Sequence, residues 1–192
     1  MSDKYIIIAI MGKAGSGKDT LVENVCKDVP ALHKIISCTT RPPRQGEQDG
    51  VNYHFISGEE FGARVLDGRM FEATYFNEWF YGTSTDSLRK DKINIGAFNP
   101  EGVETLLHCS NVKVIPIYLA ASDKNRLIRQ LQREDDPDVY EIIRRFKVDN
   151  EDFDGIEFEP WLFTIYDNNT EEELEENTKN LMYIVNEIYR DL

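Results

Sequence analysis

The run Gly-Lys-Ala-Gly-Ser-Gly-Lys-Asp-Thr at residues 12–20 has the residue types of a loop that holds phosphate. Gly12, Gly15 and Gly17 permit positive φ angles and close approach of backbone to a ligand. The N–H groups along Gly12, Ala14, Gly15, Ser16 and Gly17 supply oriented donors, and Lys18 reaches toward β- and γ-phosphates. Asp19 stands where a hydroxyl normally meets Mg²⁺; Asp19 or the adjacent Thr20 is then the metal-facing residue, and the sequence leaves both open. A second constellation follows. Arg41 and Arg44 flank the rigid pair Pro42-Pro43, a way to present two planar donor forks to one anion, with Tyr53 as a neutral donor nearby.

These groups need a scaffold, and the apolar pattern predicts one. Runs at 5–11, 35–38, 92–98, 112–119 and 162–166 read as strands. Helical patterns at about 18–28, 57–67, 84–91, 100–109, 122–133, 137–149 and 171–190 separate them. That alternation predicts an α/β fold with a parallel sheet flanked by helices. Thr170 is the expected N-cap of the last helix. Two stretches interrupt the alternation. Residues 39–83 predict a small antiparallel lobe, and the densely charged residues 129–154 predict a lid, which leaves 1–38, 84–128 and 155–192 as the core.

A net charge of -13 argues against nucleic acid or anionic lipid as a partner. It permits a small phosphorylated ligand, provided cations are concentrated locally. The longest apolar runs are too short to span a bilayer. Cys26, Cys38 and Cys109 lack metal-like spacing and predict reduced thiols in a cytoplasmic protein. His33 and His108 read as structural residues, Trp79 and Trp161 as packing residues.

From Ser37 to Phe55 the chain matches Ser-x-Thr-Thr-Arg-x-Pro-Arg-x-Gly-Glu-x-x-Gly-x-x-Tyr-x-Phe, and Phe71-Glu72 and Tyr81-Gly82-Thr83 follow at the matching spacing. With the phosphate loop, this resembles the guanylate kinase family, whose fold is a P-loop parallel sheet with a nucleoside-monophosphate-binding lobe and a lid. The resemblance implies transfer of the γ-phosphoryl group of ATP, with Mg²⁺, to GMP or dGMP. It implies that Arg41, Arg44, Tyr53 and Tyr81 hold the acceptor phosphate. Ser37, Glu72 and Thr83 would read guanine: a carboxylate accepts from both N1–H and the exocyclic amine, and adenine has no N1–H. Lys18, Arg41, Arg133 and Arg145 would act on the transferring group, with Arg129 a weaker candidate, and Asn168 would lie beside adenine. Monomer and homodimer are both compatible.

The chain departs from the family at one strand end. Where Asp-x-Asp-x-Gln-Gly is usual, it has Ala97-Phe98-Asn99-Pro100-Glu101-Gly102. Asn99 can still bond a ribose or a water around Mg²⁺ but carries no charge. The loss of two carboxylates and the gain of Asp19 are read together as one relocation of metal-balancing charge. Two rivals remain: a kinase for another or several (deoxy)nucleoside monophosphates, and a noncatalytic interaction domain of the same fold.

Overall fold

The first strand is apolar throughout because it is covered on every side. The structure, a computed structural model, describes residues 4–190. In it β1 (Tyr5–Met11) leads into α1 (Lys18–Asp28) and then β2 (Leu32–Lys34). The chain next forms β3 (Cys38–Thr39), β4 (His54–Phe55), α2 (Gly58–Leu66), β5 (Met70–Phe76) and β6 (Trp79–Ser84). It returns through β7 (Ile93–Phe98), α3 (Pro100–Leu107), β8 (Val112–Ala120), α4 (Asp123–Leu131) and α5 (Val139–Asp152). β9 (Ile165–Asp167) and α6 (Glu171–Arg190) complete it.

Five strands form a parallel sheet in the order β2-β7-β1-β8-β9. β1 lies at its centre, with Ile6 opposite Ile93 on one side and Lys113 on the other. Period-2 alternation then divides its side chains between two cores. Ile6, Ile8 and Ile10 pack with Leu21, Val22 and Val25 of α1 and Leu181 and Val185 of α6. Ile7, Ala9 and Met11 face Val103 and Leu106 of α3, with Leu88, Phe153 and Leu162. Pro116 sits in β8 without breaking the sheet, since β9 pairs only with Tyr118 to Ala120 and leaves the far side of Pro116 open.

A second sheet, β4-β3-β6-β5, stands apart from the first. Its β3–β6 and β5–β6 pairs are antiparallel, whereas β4 joins β3 in parallel after the long loop carrying the two arginines. Asn77 (φ 53°) and Glu78 (φ 70°) make the two-residue turn that closes β5 onto β6, with Phe76 opposite Trp79. Two left-handed residues match the twist of a tight hairpin.

Three expectations are corrected. The strand expected at 35–38 ends earlier: Ile35 donates its N–H to Ile95 O at 2.8 Å, and Cys38–Thr39 crosses to the second sheet. The last strand is β9, three residues later than the apolar run suggested, with Ile165 on an exposed edge. Residues 84–91 are not an α-helix but a short 3-10 turn, Thr85–Ser87, followed by an irregular connection. The fully buried Asn94 explains this. Its Oδ1 accepts from Arg89 N at 2.8 Å, and its Nδ2 donates to Arg89 O at 2.9 Å and Ile6 O at 3.0 Å. A strand side chain thus takes the backbone groups that a helix would have used.

Helix starts follow local chemistry. Ser57, Asn99, Ser122 and Asp138 cap α2, α3, α4 and α5 by accepting a backbone N–H three residues on. Thr170 does so for α6, where Glu173 N donates to its hydroxyl at 3.1 Å. Among the described residues no helix is long and apolar enough to cross a membrane. Replacing Asn94 by Ala should destabilise the fold by about 2 kcal/mol, because the Arg89 and Ile6 groups lose partners in a dry core. Urea unfolding with an unchanged m-value would show it.

Candidate active site

The carboxyl ends of β1 and β7 open on a cavity of about 830 Å³ that runs between the two sheets and under α4 and α5. Such crevices at strand ends are where parallel sheets bind ligands. Gly12, Ala14, Gly15, Gly17, Lys18, Asp19 and Thr20 line one end of it. Gly15 (φ 80°) and Gly17 (φ 95°) are obligatory. A Cβ on Gly15 would lie 2.6 Å from the Arg126 carbonyl, and one on Gly17 2.5 Å from Asn168 Nδ2.

The loop is gripped from behind. Asn168 Nδ2 donates to Ser16 O at 2.7 Å, and Arg129 Nη1 to Gly15 O at 3.2 Å. Two expectations change accordingly. Asn168 is buried behind the loop rather than on the cavity wall, and the Ser16 N–H, expected among the loop donors, is taken by Lys13 O at 3.1 Å. Lys18 folds back, donating to Gly12 O at 2.6 Å. Burial lowers its pKa, opposed by the charges of Asp19 and Asp149.

The opposite end holds the basic corner. Arg41, Arg44, Tyr53 and Tyr81 all line it, and the two tyrosine rings meet edge-on at 6.0 Å between centroids. The Arg41 guanidinium lies 5.5 Å over Tyr53, a cation–π contact, and donates to Glu47 at 3.0 Å and to Pro42 O at 2.7 Å. Glu47 also accepts from Arg44 N at 2.8 Å and pairs with Arg133 at 3.3 Å. Burial would raise the pKa of Glu47, but the Arg44 N–H and the Arg41 guanidinium outweigh it and the net shift is downward. Among the described residues no acceptor meets the Arg44 guanidinium. Burial, Arg41 and Arg133 all lower its pKa, as expected of a cation waiting for an anion. Burial raises the Tyr53 pKa, so its phenol stays neutral and able to donate.

Between the two ends Ser37, Glu72, Ala97 and Asn99 reach the cavity. Glu72 is 6% exposed, and burial pushes its pKa up to about 7, with Thr83 across the strand pair moderating the rise. Thr83 itself is fully buried off the cavity wall, and its hydroxyl has no partner of hydrogen-bond geometry. Asn99 is occupied structurally: Oδ1 caps α3 at Gly102 N, 2.9 Å away, while Nδ2 donates to Thr74 Oγ1 at 3.0 Å. Arg133 and Arg145 line the cavity from the charged segment, with Arg145 paired to Glu141 at 3.3 Å.

Several residues of the site escaped sequence reasoning. Glu47 lay within the quoted motif, and its spacing from Arg41 and Arg44 was the available signal. Asp149, Asn77 and Trp79 carried none, because only the fold brings them to the wall.

A P-loop α/β fold with a basic corner facing the loop across one cavity defines the class. The guanylate kinase family profile matches residues 3–187, and the chain belongs to that family. A stretch of 76 residues is 46% identical to guanylate kinase of Lawsonia intracellularis, covering 40% of this chain and 36% of that protein. Guanylate kinase of Helicobacter pylori strain J99 is 34% identical over 55% of this chain and 53% of that protein. The chain thus matches about a third to a half of the length of these two relatives. Guanylate kinase of Helicobacter hepaticus is 30% identical over 72% of each chain. The crystal structure of guanylate kinase from Anaplasma phagocytophilum superposes with a TM-score of 0.65 at 20% identity, covering 96% of this chain and 86% of that one, and supports the fold.

Ionised Glu72 costs stability in the empty fold. With its folded pKa near 7, the folded state binds more protons than the unfolded chain, so stability falls as pH rises from about 4.5 through 7. Glu72→Gln should therefore melt higher than the parent at pH 8 and equally at pH 4. Thermal denaturation at both values tests this.

Proposed function

We propose that the chain transfers the γ-phosphoryl group of ATP to GMP or dGMP, giving GDP or dGDP and ADP. One observation carries the reading: the phosphate loop and the Arg41, Arg44, Tyr53 and Tyr81 corner open on the same cavity, with Glu72 buried between them. Residues 39–83 serve as the acceptor lobe and 129–154 as the lid.

The acceptor phosphate seats on the free Arg44 fork and the tyrosine phenols, while Glu47 holds Arg41 in place. Glu72 in its ionised form accepts from guanine N1–H and the exocyclic amine, with Ser37 as the hydroxyl partner on the wall and Thr83 behind Glu72. A base lacking those donors leaves a buried carboxylate uncompensated. The donor's phosphate chain lies on the loop amides and Lys18. An acceptor-phosphate oxygen forms the new bond to the γ-phosphorus as the bond to the β–γ bridging oxygen breaks, and ADP leaves with that electron pair. Lys18, Arg133 and Arg145 hold the charge spread over the transferring oxygens, and alignment with exclusion of water does the rest.

Asp19 and Thr20 offer hard oxygen donors beside the loop, and among the described residues no group of three His, Cys, Asp or Glu forms a metal cage. This donor set fits Mg²⁺ carried largely by phosphate oxygens and water. When bound, the ion neutralises donor-phosphate charge, with Asp19 and Thr20 as the residues that would hold it. Asn99, engaged at the α3 cap, supports placing the protein's carboxylate at Asp19.

With ATP and a panel of ribo- and deoxynucleoside monophosphates, ADP release should be at least about 100-fold faster for GMP or dGMP than for the others. Glu72→Gln should erase that preference. Fast phosphorylation of dTMP or dCMP alone would overturn the guanine assignment, and nucleotide binding without transfer would favour an interaction domain. Asp19→Ala should raise the Mg²⁺ concentration needed for tight ATP binding in calorimetry; an unchanged requirement would remove Asp19 from the metal site.

A further inference from the structure

Asp149 of α5 is 1% exposed and lies on the phosphate end of the cavity. Its Oδ2 accepts from the Ala14 N–H at 2.5 Å and from Arg126 Nη2 at 3.1 Å. Arg126, fully buried on α4 with its guanidinium 4.4 Å over the Phe146 ring, donates through Nε to Ala14 O at 3.1 Å. The two charged groups thus hold both polar atoms of one phosphate-loop residue. The other carboxylate oxygen, Oδ1, is buried and has no partner.

A clamp serving only to brace the loop would engage both oxygens, since an unmatched carboxylate oxygen in a dry site is costly. Here one oxygen sits on a loop amide, as a phosphate oxygen does, and the other is unmatched, so the carboxylate is held there less firmly than a full clamp would be. Because it is part of the chain, this anion competes for Ala14 at an effective concentration of millimolar or more. We propose that Asp149 is a donor-selecting residue: its carboxylate takes the place of a phosphate oxygen at Ala14 N–H and admits only phosphate chains with enough other contacts to displace it.

Inorganic phosphate and pyrophosphate, which touch the loop alone, are held off. A nucleoside triphosphate adds its nucleoside contacts and its longer chain, and prevails. The displaced carboxylate keeps Arg126 as a partner, so release of the loop frees α5 without stranding a charge. This selection rests on the reading of the loop as the ATP site.

The test uses the whole chain without acceptor. Asp149→Asn keeps an oxygen for Ala14 and Arg126 and removes the charge, while Asp123 still balances Arg126, so the variant should fold with lower stability than the parent. Calorimetry should give pyrophosphate at least about tenfold tighter binding to that variant, with a smaller gain for ATP. In the unmutated protein, NMR should show the Ala14 amide proton far downfield, and both it and the Asp149 carboxyl carbon should shift when ATP saturates the site. Unchanged or weaker pyrophosphate binding by the folded variant, at a temperature well below its melting point, would overturn the proposal. So would an Asp149 carbon unmoved by saturating ATP, whatever the variant does. A parent that binds neither ATP nor pyrophosphate would sink the ATP reading as well as this one.

Discussion

Everything at the site depends on one short backbone path, the glycine-rich turn between β1 and α1. Its shape is imposed from both directions. Gly15 and Gly17 adopt left-handed angles, and each lies where a single methyl group would strike Arg126 or Asn168. The hydrogen bonds from Asn168 and Arg129 to loop carbonyls hold the turn from the rear and fix its path before any ligand arrives. Preorganised donors cost no reorganisation when charge reaches them, which is where much of a phosphate site's strength lies. The sheet supplies the anchor: β1 is buried on both faces and paired on both edges, so the turn leaves a strand that cannot shift.

The same logic reconciles an acidic protein with anionic ligands. The net charge of -13 is spread over the chain, while Lys18, Arg41, Arg44, Arg133 and Arg145 converge on one cavity. Crowded cations repel, and Glu47 relieves this by bonding Arg41 and Arg133 and bracing the Arg44 backbone. Arg44 is left with its guanidinium unspent. Glu72 shows the converse, a carboxylate without cations, held near neutrality by burial until donors arrive.

The sequence was most readable where chemistry is local. Continuous apolar runs located β1, β7 and β8, a period-3.6 pattern located α6, and the glycines with Lys18 announced the loop. The motif from Ser37 to Phe55 carried Arg41, Arg44 and Tyr53 of the basic corner within one short stretch. Legibility failed where distant residues decide. The side chain of Asn94 overrode a helical pattern at 84–91 by capturing Arg89, and nothing in the local run signals that. Asn168 read as a ligand contact because it follows the last strand, yet the packing of that strand turns it toward Ser16. Asp149 lies among many acids in a charged stretch; its meaning comes from Ala14, 135 residues away in the chain.

The central claim is that donor and acceptor phosphates share one cavity, with the phosphate loop at one end and the Arg44 corner at the other. A molecule with adenosine and guanosine joined by a five-phosphate chain would occupy both ends at once. Its inhibition pattern is the most direct test. The account predicts one molecule bound per chain, competing with both ATP and GMP, and more tightly than either alone. Competition with only one of the two, or binding of two molecules per chain, would contradict it.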